Sequence, residues 1–300
     1  MHSSVRKWLI ILLFLLPSLI GLVTFSAIPI VYSFVISLTD WNGLNAWNLA
    51  AGTPNFVGFD NFASILNGEE FWRVFKNTAY FIVLYIPLIL VFSILAAVLL
   101  NNAYRGIGAY RVLFFIPVLT SWVAGALIWK WLLSDDYGPV NEILSFVGID
   151  GPAWLQDRNW AMPGIVFASI WKDMGFFALI MLGGLQGINP EYYEAAQIDG
   201  ASLYKRFLRI TLPLLSPILF FVIVICIINS FQLFPQVMIM TQDAGPYGST
   251  QAMVERIYKY AFKYYKMGYA SSFSWILFVI IFVFTAIQMR LQRKWVHYDS

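Results

Sequence analysis

The decisive stretch is NPEYYEAAQIDGASLYKRFLRITLPLLSP, residues Asn189 to Pro217, a polar interruption between two intensely apolar runs. Asn189 can cap a helix that starts at Pro190, and Glu191 puts negative charge in its first turn, where the helix dipole favours it. That helix should run to about Asp199, and Gly200 is suited to stop it in the left-handed conformation that other residues resist. Ser202 can cap a restart carrying Lys205, Arg206 and Arg209. Pro213 and Pro217 each remove a donor at the entrance to the next apolar run, so a kink is expected there. The product is a short helix set at an angle to its apolar neighbours. Ala195 and Ala196 make it narrow beside Glu194, so another backbone can approach closely and a partner's arginine can meet the carboxylate. These are the properties of a knob meant for a socket.

Around this hairpin the chain is a membrane protein by composition. Its 300 residues are 60% hydrophobic, 18% aromatic and only 12% charged, and the mean hydropathy is +0.70, well outside the soluble range. A net charge of +3 gives no case for nucleic acid. The single cysteine, Cys226, can form neither an internal disulfide nor a metal site. His2 and His297 are terminal, and no paired-carboxylate, Ser-His-Asp or zinc spacing stands out, so neither a catalytic nor a metal site is expected.

A helix needs about 20 mostly apolar residues to cross the hydrocarbon core. Six segments qualify: Trp8 to Leu38, Thr78 to Leu100, Val112 to Leu133, Met162 to Leu185, Leu214 to Met240 and Ser271 to Leu291. The first has the basic flank of a signal peptide, Arg6-Lys7, but its apolar stretch is too long for one, so it reads as an uncleaved span. The expected fold is all-α, a single membrane domain over residues 1–300 with the hairpin 189–213 inside it.

Lysine and arginine in the short connections give the orientation. One set of ends holds Arg6, Lys7, Arg105, Arg111, Lys205, Arg206, Arg209, Arg290, Arg293 and Lys294, whereas the first two loops on the other side hold Arg73, Lys76 and Arg158. Both termini and the hairpin are therefore expected in the cytoplasm. The last outer loop runs against this, with Arg256, Lys259, Lys263 and Lys266 spaced for one helical face among Tyr260, Phe262, Tyr264 and Tyr265. Either an interfacial helix at the outer headgroups or a docking surface for an external partner fits that pattern. The loop from Thr39 to Asn77 has turn signals at Asn42-Gly43 and Thr53-Pro54, and the acids of Ser134 to Trp160 read as solvated surface.

Ionisable residues inside spans cost on the order of 2.5 to 3.5 kcal/mol at a helix centre and are functional candidates by default. Lys172 and Asp173 lie near the middle of the fourth span, about 100° apart on the helix, so at least one should face a polar cavity. Lys130 lies near the outer end of the third span. Asn229, Ser230 and Gln232, before Pro235 in the fifth span, offer amides and a hydroxyl suited to sugar hydroxyls. Trp171, Phe176 and Phe231 could give flat faces for a pyranose ring. Helix-helix hydrogen bonding is the competing reading for each polar residue. Gly183, Gly184 and Gly187 read as close-packing positions.

The string Glu194-Ala195-Ala196-Gln197-Ile198-Asp199-Gly200-Ala201, followed by Phe207, Ile210, Leu212-Pro213 and Pro217, resembles the EAA motif of ATP-binding-cassette importer permeases. It is similar in particular to the carbohydrate-uptake, maltose-type branch, whose pattern is EAA-x-x-D-G-A followed by I-x-L-P. The six spans, "FFIPVLTSWVAGALIWKWLL" (114–133) and "WVHY" (295–298) extend the likeness along the chain.

That resemblance implies a type I importer permease fold in the cell (inner) membrane. The hairpin would be the coupling helix, with Glu194 pairing a basic residue of a cytoplasmic ATPase, Ala195 and Ala196 letting it seat, and Asp199 and Gly200 ending it. The chain has no G-x-x-x-x-G-K-[ST] phosphate loop, so ATP and Mg would be bound by two separate ATPase subunits and no cofactor by this chain. A second, homologous permease and an extracytoplasmic solute-binding protein would complete the assembly. In that family corresponding parts of the fourth to sixth spans line the pathway, which marks Lys172, Asp173, Phe176, Asn229, Ser230 and Gln232 as pathway candidates. Sugars, oligosaccharides and glycerol phosphates all stay open as cargo. An ion-coupled secondary transporter, which would need inverted repeats and intramembrane acid or sodium sites, and a membrane scaffold are the rival classes.

Overall fold

The computed structural model describes residues 2–47, 54–102 and 105–296; the expected turn at Thr53 and the residues from His297 onward lie outside the described residues. Every regular element among them is helical, with one isolated bridge between Thr39 and Phe56. Four helices are long and apolar enough to cross a membrane, and two bent pairs raise the total to six if each pair is one span. The chain divides into two units, residues 1–68 with 256–276, and residues 69–255 with 277–300.

In the smaller unit, α1 (His2–Leu22) passes through a π turn, Val23–Ala27, into α2 (Ile28–Ser37) without stopping. Its apolar residues from Ile10 to Tyr32 are exposed nearly all round, the pattern of a helix whose solvent is lipid. The far end of α2 is fixed by polar contacts. Ser272 Oγ donates to Ser37 O at 2.7 Å, Trp275 Nε1 to Ser33 Oγ at 3.1 Å, and Asn61 Nδ2, on α3 (Asp60–Asn67), to Thr39 O at 2.8 Å. The loop beyond α2 orders itself: the Asp40 carboxylate accepts from Asn55 N and Nδ2, both at 2.8 Å, and Gly43 makes the expected turn at φ +80°.

The four basic residues of 256–266 do not share one exposed face. Arg256 and Lys259 are buried, Lys263 and Lys266 exposed. The reason is that α14 (Met253–Tyr258) loosens into a π turn over Lys259–Lys263 and ends at Tyr265, φ +52°, so the three-four-three spacing never acts on a regular helix. The Arg256 guanidinium lies over the rings of Tyr260 and Tyr264, 5.3 and 5.9 Å from their centroids.

The larger unit is built on two long helices, α4 (Glu69–Leu100) and α8 (Ala161–Gln186), which pack along much of their length. Lipid tails are as apolar as leucine, so close packing and polar contacts hold such helices together. Small residues mark the closest approaches. A Cβ on Gly175 would lie 1.8 Å from the Phe114 carbonyl oxygen of α5 (Ile107–Leu119), and one on Gly184 would lie 2.7 Å from Leu215 and Ile218. Gly183, by contrast, faces open space; it is not a packing position, because its neighbour Gly184 occupies the contact face. After α15 (Met267–Trp295) enters this unit, Phe284 packs on Phe231 and Trp295 on Phe220, with ring centroids 5.2 and 6.1 Å apart.

Two expected spans are broken helices. The third divides into α5 and α6 (Trp122–Leu132), bent by 96°. Pro117 withholds a donor near the end of α5, Thr120 turns to ψ 138°, and Ser121 restarts the chain by accepting from Ala124 N at 3.3 Å. The fifth bends by 66° between the Leu203–Leu214 segment and α12 (Ser216–Phe231), where the two prolines predict a kink. It stops again at Gln232 before α13 (Pro235–Met240). A helix α7 (Pro139–Phe146) lies in the connection between α6 and α8, where Asp157 Oδ1 accepts from Asn159 N and Trp160 N at 2.7 and 3.2 Å.

The glycine contacts make a direct test. Gly175→Ala should cost about 1 to 3 kcal/mol or more, since the Phe114 backbone cannot yield, whereas Gly183→Ala should be neutral or gain up to about 1 kcal/mol from helix propensity. Thermal unfolding of the purified variants in detergent checks both signs.

Candidate functional site

The break in the third span sets the geometry of the site. A helix that ends inside hydrocarbon leaves its last carbonyls without donors, and no water is there to replace them. Lys172, buried on α8, donates from Nζ to Val118 O at 2.9 Å and adds a bond of 3.2 Å to Pro117 O, which also accepts from Thr120 N at 3.2 Å. Thr120 Oγ1 adds a bond to Pro117 O at 2.6 Å. The ammonium also lies 5.6 Å from the centroid of the Trp122 ring, close enough for attraction to its face. Gly175, one turn along α8, lets α5 come close enough for this.

With Lys172 committed to the helix end, Asp173 turns to the other side of α8 and receives a hydrogen bond from Tyr85 Oη, on α4, at 2.8 Å. Asp173 and Tyr85 line a cavity of about 260 Å³ together with Phe81, Trp122, Ser169 and the residues around the break between α12 and α13. Asn229, Ser230 and Gln232 are among these, and Gln236 joins them from the first turn of α13. Ser230 Oγ donates back to Cys226 O at 2.6 Å, leaving its lone pairs as acceptors. Asn229, in the last turn of α12, and Gln232, at the break, are both exposed and line the cavity.

Of the sequence candidates, Asp173, Asn229, Ser230 and Gln232 meet at this cavity, and Lys172 and Phe176 do not line it. Lys172 is occupied by the carbonyls of α5, and Phe176 stands outside, in edge contact with Phe177 at 5.4 Å. The expected aromatic platforms are also displaced. Phe231 is buried against Phe284, and Trp171 packs against Trp129, centroids 6.1 Å apart. Phe81, Tyr85 and Trp122 provide the aromatic lining instead. Trp122 had a signal, since Ser121 directly before it is a good cap and Pro117 a good stop; Phe81 and Tyr85 are hidden in an unbroken apolar helix.

The hairpin follows directly from α8. Asn189 Oδ1 accepts from Glu191 N at 3.0 Å at the start of α9 (Glu191–Ile198). The helix ends in a reverse turn with Ala201 N donating to Ala196 O at 2.9 Å and Gly200 at φ +72°. Ser202 Oγ then accepts from Lys205 N at 3.4 Å at the head of α10 (Leu203–Arg206), which passes through a π turn, Phe207–Thr211, into the short α11 (Leu212–Leu214). Tyr193 and Thr211 share a hydroxyl hydrogen bond of 3.0 Å, which ties α9 to the entrance of α12. Glu194, Ala195, Asp199 and Gly200 are exposed and Ala196 half-buried. Ile198 and Leu203 are 87% and 78% exposed, large apolar side chains on an otherwise polar element.

These features have counterparts in known proteins. Residues 62–297 match the family model described as the binding-protein-dependent transport system inner membrane component. The probable ABC transporter permease protein YesP of Bacillus subtilis (strain 168) is 37% identical over 96% of this chain and 91% of its own length. The lactose transport system permease protein LacF of Rhizobium radiobacter is 31% identical over 98% and 96%. A crystal structure of a bacterial ABC transporter involved in the import of the acidic polysaccharide alginate superposes with a TM-score of 0.83 at 26% identity, covering 98% of both chains. Another such structure holds an alginate pentasaccharide-bound periplasmic protein. A multi-pass membrane protein with this match over most of its length belongs to the family of binding-protein-dependent transport system inner membrane components.

Proposed function

We propose that this chain is a permease subunit of an ATP-driven importer of sugars or oligosaccharides in the cytoplasmic membrane, with both termini and the hairpin in the cytoplasm. The observation that carries this reading is the capped, glycine-terminated α9, which presents Glu194 and its narrow alanine face beside exposed Ile198 and Leu203 at the end of α8. That surface fits a partner's groove, and in this reading the partner is one of two ATPase subunits that bind ATP and Mg. A second permease completes the pathway and an extracytoplasmic binding protein delivers cargo. Nucleotide-driven closure of the ATPases would move the hairpins and with them α8 and α12, opening the cavity to alternate sides. Relatives named for lactose, for trehalose and maltose, and for starch degradation products support carbohydrate as cargo.

The cavity chemistry favours a neutral saccharide over a phosphorylated or uronate one. Amide and hydroxyl groups with three aromatic faces suit sugar hydroxyls and rings. Asp173 brings the one carboxyl among the lining residues, and no lysine or arginine is among them. An anion would meet that carboxylate directly, while the nearby Lys172 ammonium is engaged by the carbonyls of Pro117 and Val118.

Three experiments follow. Glu194→Ala should uncouple transport while the spans stay inserted; losing one partner of a buried pair costs about 3 to 5 kcal/mol, so ATPase retention on purification should fall by roughly 100-fold or more, and wild-type uptake would overturn the assignment. Asn229→Ala combined with Gln232→Ala should lower uptake by roughly 5- to 10-fold, at about 1 kcal/mol or less per lost hydrogen bond, with the ATPase still attached. Uptake of a uronate oligomer as fast as a neutral one of equal length would contradict the neutral-cargo reading.

A further inference from the structure

A second pocket, of about 300 Å³, lies at the end of α4 and α8 away from the hairpin, lined by Arg73, Lys76, Tyr80, Arg158, Asn159 and Tyr247 among others. Arg73, Lys76 and Tyr80 share one face of α4 by their spacing of three and four, and Arg158 comes from the turn that leads into α8. Among the described residues none of the three cations is held in an ion pair, and no carboxylate lines the pocket. A cluster of like charges gathered in this way is costly unless an anion sits among them.

The depth of the pocket in the bilayer indicates which anion. The 32 residues of α4 span about 48 Å at 1.5 Å per residue, well beyond the ~30 Å hydrocarbon core. The polar turns Glu69 to Asn77 are the part that must project. Arg73 and Lys76 therefore stand in the headgroup layer, with Tyr80 at its boundary. Trp72 and Trp160, 50% and 42% exposed, lie at the same end of these helices, as aromatic residues do where a protein meets the headgroups.

The remaining wall, Tyr247 to Ser249, is the end of a strained loop held in place by hydrogen bonds. Asp243, Ala244 and Tyr247 all have positive φ, +45°, +65° and +54°. Such strain persists only where the surroundings enforce it, and it concentrates at ligand clamps. Asn77 Nδ2 donates to Gly248 O at 2.9 Å and to Gln251 O at 3.2 Å, and the Thr241 and Thr250 hydroxyls bond at 2.9 Å across the loop base. Together these hold the 86%-exposed Tyr247 at the rim.

We propose that this pocket binds the phosphate of an anionic phospholipid headgroup in the leaflet opposite the hairpin. The arginine forks match phosphate oxygens in pairs and Lys76 adds a point charge. Tyr80, Asn159 and Tyr247 are placed to donate to the ester and glycerol oxygens.

The test uses the delipidated full-length chain in an uncharged detergent, titrated with short-chain phosphatidylglycerol, phosphatidylcholine or inorganic phosphate, with bound species counted by native mass spectrometry. The expected result is saturable retention of phosphatidylglycerol in preference to phosphatidylcholine. Retention should fall about tenfold or more in Arg73→Gln/Lys76→Gln/Arg158→Gln and persist in Lys130→Gln, whose cation lies outside this pocket. Single replacements, each expected to weaken retention by about threefold, keep the test decisive if the triple variant does not fold. Weak competition by inorganic phosphate supports the lipid as the source. Tighter binding of inorganic phosphate than of the lipid, equal retention of phosphatidylcholine, or undiminished phosphatidylglycerol binding by the variants overturns the proposal. Variants that keep the lipid but lose uptake also overturn it, in favour of a carboxylate on a docked protein.

Discussion

The ammonium of Lys172 on the carbonyls of Pro117 and Val118 is the contact on which the larger unit depends. A span that breaks inside hydrocarbon must give its orphan carbonyls to some donor, and here one lysine, backed by Thr120, takes two of them. The contact requires α5 against α8, which Gly175 permits by having no side chain. Once α5 is fixed there, α6 leaves at 96° and brings Trp122 to the cavity wall. A lysine that reads as a ligand for an anionic cargo is here held behind the cavity by the end of α5, where the macrodipole is negative.

Asp173 acquires its position by the same arrangement. Adjacent helical residues point about 100° apart, so seating Lys172 toward α5 sends Asp173 toward Tyr85 and the space beside the break at Gln232. The continuous α8 and the interrupted α12 thus both line one cavity. Both lead to the hairpin: α8 runs into α9, and Tyr193 bonded to Thr211 ties α9 back to the entrance of α12. Cavity and hairpin share two helices, a short mechanical path for the proposed cycle, and the π turn at Phe207–Thr211 and the 66° bend beyond it are where that path can flex.

The hairpin was legible in the sequence almost residue by residue because caps and glycine stops are local: Asn189, Gly200 and Ser202 each act within three residues of themselves. The spans were legible as lengths of apolar sequence and the bend of the fifth from Pro213 and Pro217, but not the break of the third. Pro117 with Thr120-Ser121 held the signal for that break, yet hydropathy averages over it. The pathway candidates divided in the same way. Asn229, Ser230 and Gln232 stand next to a helix interruption marked by Pro235 and meet at the cavity, whereas the fates of Lys172, Phe176 and Phe231 depend on which helix lies opposite. Tyr85 and Phe81 carried no signal, since an aromatic residue in a lipid-length helix looks the same facing lipid, core or cavity. The basic stripe of 256–266 misread for a related reason, since its spacing presumes a regular helix and the backbone there is a π turn.

In the proposed cycle the hairpin delivers the work of ATP hydrolysis to the cavity beside the break at Gln232. The most direct test is uptake of a labelled sugar by proteoliposomes containing the complete purified complex and its loaded binding protein, with ATP supplied on the hairpin side and ion gradients collapsed by ionophores. Uptake should continue without any ion gradient and stop when ATP is withheld. Uptake that proceeds without ATP and follows an imposed proton or sodium gradient would contradict the proposed cycle.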